Sequence, residues 1–145
     1  MPHRFLALLV LAFLCGGAAF ADQPPAGDLA VRLSLANTGA APLHCRLMFG
    51  HWVEEDLGLI VPGGSIGLDI SQAAKDGALY ILRADGQRRM MIETILCGRD
   101  GDWMASYGQV DFAPARSARP GRIEASCALP ETGGRVACLP LRLEN

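Results

Sequence analysis

Ile-Glu-Ala-Ser-Cys-Ala-Leu-Pro-Glu-Thr-Gly-Gly-Arg-Val-Ala-Cys-Leu-Pro-Leu-Arg-Leu, residues 123 to 143, decides how this chain should fold. Two strand-like segments, Ile123 to Leu129 and Val136 to Leu143, flank Pro130-Glu131-Thr132-Gly133-Gly134, a turn composition. A turn centred between Thr132 and Gly133 leaves Cys127 and Cys138 equally far from its midpoint, so they fall directly opposite one another. Opposed residues of an antiparallel pair lie about 4.5 to 5.5 Å apart, near the separation that a disulfide tolerates. Cys127–Cys138 is therefore expected as a cross-strand bridge.

The remaining cysteines follow from the start of the chain. Met1 to Ala21 has Arg4, an apolar run from Phe5 to Leu14, and small residues ending in Ala19-Phe20-Ala21, the pattern of a cleavable export signal. Cys15 would leave with this leader. The four cysteines after Ala21 are an even set in an oxidising compartment, and with Cys127–Cys138 formed the second bridge is Cys45–Cys97. On a sandwich, a core-facing cysteine on each strand would let this bridge join the two sheets.

Short strands with frequent turns account for the rest. After a flexible lead-in, residues 22 to 28, the segment Leu29-Ala30-Val31-Arg32-Leu33-Ser34-Leu35 alternates with the two-residue period of a half-buried strand. Leu43, Cys45, Leu47 and Phe49 continue that period beyond the Asn37-Thr38-Gly39 turn, leaving His44, Arg46 and Met48 on the other face. Leu57 to Val61 and Ile66 to Ile70 flank a Pro62-Gly63-Gly64-Ser65 turn. One helical turn is expected, with Ser71 as N-cap and Gly77 as stop. Asp85-Gly86 signals a hairpin between Ala78 to Ala84 and Gln87 to Leu96, Trp103 to Phe112 reads as a strand, and residues 113 to 121 read as a loop. Seven to eight short strands and two disulfides predict an all-β fold: a small antiparallel β-sandwich, immunoglobulin-like or Greek-key, spanning residues 29 to 145 as a single domain.

The chain of 145 residues carries 13 basic and 15 acidic side chains. Loss of Arg4 would make it more acidic still, which disfavours a nucleic-acid partner. The apolar part of the leader is shorter than the roughly 20 residues that a transmembrane helix needs, and no later run approaches that length.

Candidate chemistry is sparse. Gly63-Gly64-Ser65-Ile66-Gly67 fits the G-x-S-x-G pattern of a hydrolase elbow, but that elbow needs a following helix and a later histidine. Here a strand-like segment follows Ser65 and no histidine comes after His51, so a small serine hydrolase is the weakest reading. A periplasmic copper carrier would use His44, His51 and Met48, softer ligands that suit that metal; a regular strand places the two histidines on opposite faces. Glu93 shares the parity of Cys97, which would turn a carboxylate toward the core, but a strand edge where it reaches water is the expected placement. The remaining candidate is a recognition patch of His51, Trp52, Glu54, Glu55 and Asp56, with Trp103 and Tyr107 on another strand, because tryptophan and tyrosine are common interface anchors. The sequence thus predicts an exported, periplasmic or secreted, non-enzymatic binding or accessory module without a cofactor, whose partner is a protein or other envelope macromolecule.

Overall fold

A computed structural model describes residues 26–82 and 88–145. The expected leader, residues 22–25 of the lead-in and the Asp85-Gly86 hairpin turn lie outside the described residues.

Alternation of apolar and polar residues makes strands of β1 (Leu29–Asn37), β2 (Leu43–Phe49), β3 (Glu54–Ile60), β4 (Ser65–Gln72), β5 (Leu79–Leu82) and β6 (Arg89–Arg99). They are followed by α1 (Trp103–Ser106), β7 (Gly108–Gln109), α2 (Ala113–Ala118), β8 (Arg122–Ala128), β9 (Ala137–Cys138) and β10 (Arg142–Glu144). The fold is all-β. Its strands form one sheet in the order β10-β8-β1-β4-β5-β6-β2-β3, with β7 added to β6 and β9 to β8.

The two layers of this sandwich are halves of that one sheet, and β6 is the seam between them. Its first residues, Arg89 to Met91, pair with β5, and the stretch from Ile92 to Arg99 pairs with β2. Both halves contribute to one core, in which Val31, Leu33 and Leu35 of β1 and Ile123 and Ala125 of β8 join Leu43, Leu47 and Phe49 of β2 and Ile92 and Ile95 of β6. Among the strand pairs, β1 with β8 is parallel.

Both expected disulfides are formed. Cys127 is the register partner of Cys138, as the turn midpoint requires. One residue too many between Cys138 and Arg142 then shifts the register, so that Arg142 faces Glu124 and Leu143 faces Ile123. The break falls at Leu139-Pro140-Leu141, where proline cannot supply a ladder amide. Cys45 faces Cys97, but these strands are neighbours within one layer, so this bridge does not join opposite sheets.

Several expectations are corrected. The described residues form ten strands rather than seven to eight, since short pairings at β7, β9 and β10 are added to the longer strands. Ser71 and Gln72 do not begin a helix; they are the last rungs of β4, paired with Tyr80 and Leu79. Gln72 is buried there because its Nε2 donates to the carbonyls of Gly77, Ala115 and Arg116, a tertiary clasp that outweighs local helix signals. Only Gly108 and Gln109 of the expected Trp103 to Phe112 strand pair with the sheet, as β7; before them α1 turns the chain back, with Ser106 Oγ accepting from the Arg99 N–H and donating to the Asp102 carbonyl. Residues 113 to 121 include α2 rather than only loop. Asp111 Oδ1 accepts the Ala113 N–H, Pro114 sits in the first turn where an amide is dispensable, and Arg119 ends the helix in a left-handed conformation.

Candidate functional site

The outward residues of β2 and β3 form a polar face whose geometry follows from their register. His44 lies opposite Leu59, Arg46 opposite Asp56, and Met48 opposite Glu54. His44 Nε2 meets Asp56 Oδ1 at 2.7 Å, and Arg46 Nη1 donates to Glu54 Oε1 at 3.1 Å. The Gly58 N–H also donates to Asp56 Oδ1 at 2.7 Å. That backbone donor, then the His44 ring, holds the Asp56 carboxyl below its ordinary value of 3.8.

Next to this face, α1 seats Trp103 on the sheet. Gly98 makes this approach possible, because a Cβ there would stand 2.6 Å from the indole. The Trp103 Nε1–H donates to the His44 carbonyl at 3.1 Å. Arg46 lies over the Trp103 ring at 4.5 Å, Trp103 stacks on Tyr107 at 5.3 Å, and Arg135 lies over Tyr107 at 5.4 Å. The result is a stack in which two adjacent aromatic rings lie between two guanidinium groups. Its arginines were not candidates in the sequence, since the pairing depends on α1 and on a turn remote in the chain.

Between β2 and β3 the chain makes a tight turn over Gly50–Trp52, closed by the Phe49 N–H donating to the Val53 carbonyl at 2.8 Å. His51 and Trp52 both have positive φ, 63° and 62°. Side-chain-bearing residues rarely adopt that region, and such backbone persists where the surrounding structure determines it. Trp52 projects from this turn 92% exposed, whereas Trp103 is half-buried. The two tryptophans thus have different roles: one packs against the sheet and the other faces water.

The proposed patch is partly brought together. Glu54 and Asp56 are exposed on β3 beside the turn, while Glu55 alternates to the opposite face of the strand, opposite Leu47. Of the metal candidates, His44 and Met48 share the outer face of β2 and His51 lies in the turn beyond its end. No group of three or more His, Cys, Asp or Glu side chains among the described residues is arranged to hold a metal ion. Glu93 does not face the core. A bulge inserts it between Thr94, opposite Met48, and Ile92, opposite Phe49, so parity resets and its side chain is exposed.

Ser65 begins β4 and lines an open cleft of about 460 Å³ on the other half of the sheet, with Ser34, Thr38, Ser126, Glu124 and Arg142. A strand follows it rather than a helix, and no histidine lines the cleft among the described residues. No helix among the described residues is long and apolar enough to cross a membrane.

No family model matches the chain, and no curated protein matches it. A similar solved structure is an NMR structure of a protein from Eubacterium rectale, with a TM-score of 0.46 and 12% identity, covering 81% of this chain and 96% of that one. A likeness of that size says nothing about function.

Proposed function

We propose that this chain is an exported, non-enzymatic binding or accessory module for another macromolecule of the envelope, and that it makes contact through the Gly50–Trp52 turn and the adjoining exposed acids of β3. Trp52 carries this reading. An indole that is 92% exposed on a closed, left-handed turn presents a large apolar surface at little cost in side-chain entropy, which suits an interface anchor. Export is supported by the composition of the leader and is in keeping with the two disulfides.

A photoreactive amino acid placed at position 52 tests the reading in the native envelope, with position 139 as control because Leu139 is exposed on the other half of the sheet. A discrete conjugate is expected from position 52 alone. Equal conjugation from both positions, or none from position 52, would overturn the reading. The mature chain recovered in the same experiment should begin at Asp22.

A further inference from the structure

We infer that the Trp52 turn receives an arginine or lysine side chain from a partner protein, with Glu93 as the accompanying carboxylate; this rests on the binding role proposed above.

The inference comes from how the chain treats its other polar aromatic rings. It has two tryptophans and two tyrosines. Arg89 lies over Tyr80 at 4.2 Å, Arg46 over Trp103 at 4.5 Å, and Arg135 over Tyr107 at 5.4 Å. Three of the four rings therefore carry a guanidinium supplied by this chain. Trp52, the most exposed of them, carries none among the described residues, although tryptophan is the ring that attracts a cation most strongly.

Arg46 shows what a complete set contains. Its guanidinium has an indole on one side and the Glu54 carboxylate at 3.1 Å, so ring and acid hold the cation together. Near Trp52 the ring and the acid are present without a cation between them among the described residues: the Arg116 guanidinium donates at 3.0 Å to the Glu93 backbone carbonyl, and no hydrogen bond or ion pair joins it to the Glu93 carboxylate. The Glu93 Oε1 atom comes within 3.8 Å of where a Gly50 Cβ would be, two residues before Trp52, and no side chain among the described residues pairs with it. The bulge that turns Glu93 outward is what places it there.

Charge favours a protein over a lipid surface as the source of that cation. Glu54, Asp56 and Glu93 are all exposed around the turn, and an anionic bilayer would meet repulsion from them. Arginine fits better than lysine, because a planar guanidinium can stack on the indole while its edge reaches a carboxylate.

Nuclear magnetic resonance of the indole N–H groups in the disulfide-bonded mature chain tests this directly. The probes are a short blocked peptide with two arginines, the same peptide with two glutamines, and phosphatidylglycerol vesicles. The arginine peptide should move the Trp52 resonance and leave that of Trp103 in place. Trp52→Ala should abolish the binding, and Glu93→Gln should weaken it about fivefold, the effect of a single exposed charge contact. Because both side chains are exposed, neither variant should alter the rest of the spectrum. A glutamine peptide as effective as the arginine one, a Trp52 resonance that answers to vesicles instead, or no response to any probe would overturn the cation assignment. Those results would leave the binding role standing if position 52 still forms its conjugate; absence of the conjugate overturns that role itself.

Discussion

Asn37 is buried at the end of β1, where its Nδ2 donates to the carbonyls of Ala41 and Ile60 and its Oδ1 accepts the Gly39 N–H. Asn37→Ala removes three hydrogen bonds and strands buried backbone groups, so it should cost about 2 to 3 kcal/mol in a urea melt. Trp52→Ala should do the opposite of what burial leads one to expect for tryptophan and change the same melt by no more than about 0.5 kcal/mol. Asp56 adds a dependence on pH. Its carboxyl is depressed in the folded chain, so its stabilising contribution is fully present above the unfolded value of 3.8 and disappears as pH falls through the lower folded value. Because the side chain is 63% exposed, the contribution is below about 1 kcal/mol. Asp56→Asn should therefore narrow the stability difference between pH 6 and pH 2.5, which paired melts would measure.

Among the elements, α1 depends on Gly98 more than on its own four residues. Gly98→Ala would press a methyl into the Trp103 indole, and we expect a loss of about 2 kcal/mol together with a shifted Trp103 emission. Such a contact explains which elements could be read in the sequence. The alternation of β1 and β2 was legible because one face of each meets the core at every second residue. So was the Cys127 to Cys138 register, which a single local turn determines. The segments that failed depend on tertiary contacts rather than on their own residues: Ser71 and Gln72 remain in β4 because Gln72 binds carbonyls of α2, and α1 exists where Gly98, near the end of the preceding β6, leaves room for an indole. Glu93 is exposed as expected, but a bulge rather than a strand edge turns it outward, and parity alone does not show such a bulge. At the site, Trp52 and its acidic neighbours were legible as a candidate, but the distinction between an exposed and a packed tryptophan was not.

For the whole molecule, non-reducing peptide mapping should recover Cys45–Cys97 and Cys127–Cys138 and no crossed linkage. The chain-entropy account assigns about 4 kcal/mol to the bridge separated by 52 residues and about 3 to the one separated by 11, so Cys45→Ala with Cys97→Ala should lower stability more than the other double variant. The shorter bridge has a second effect, which appears when the chain is pulled from its ends. β10 runs antiparallel to β8, and β8 runs parallel to β1. Tension on the C-terminus would first peel β10 from β8 one rung at a time, which takes little force. At Cys138 the peeling stops, and the covalent link carries the load to Cys127 at the far end of β8. From there it opposes the tension on Leu29, so the six rungs from Arg32–Arg122 to Asn37–Cys127 are sheared together instead of opened in turn. With this bond reduced, the load would run through the freed hairpin to Ala128 and shear the same rungs, so the bridge sets how much chain is released before the β1–β8 ladder bears the force.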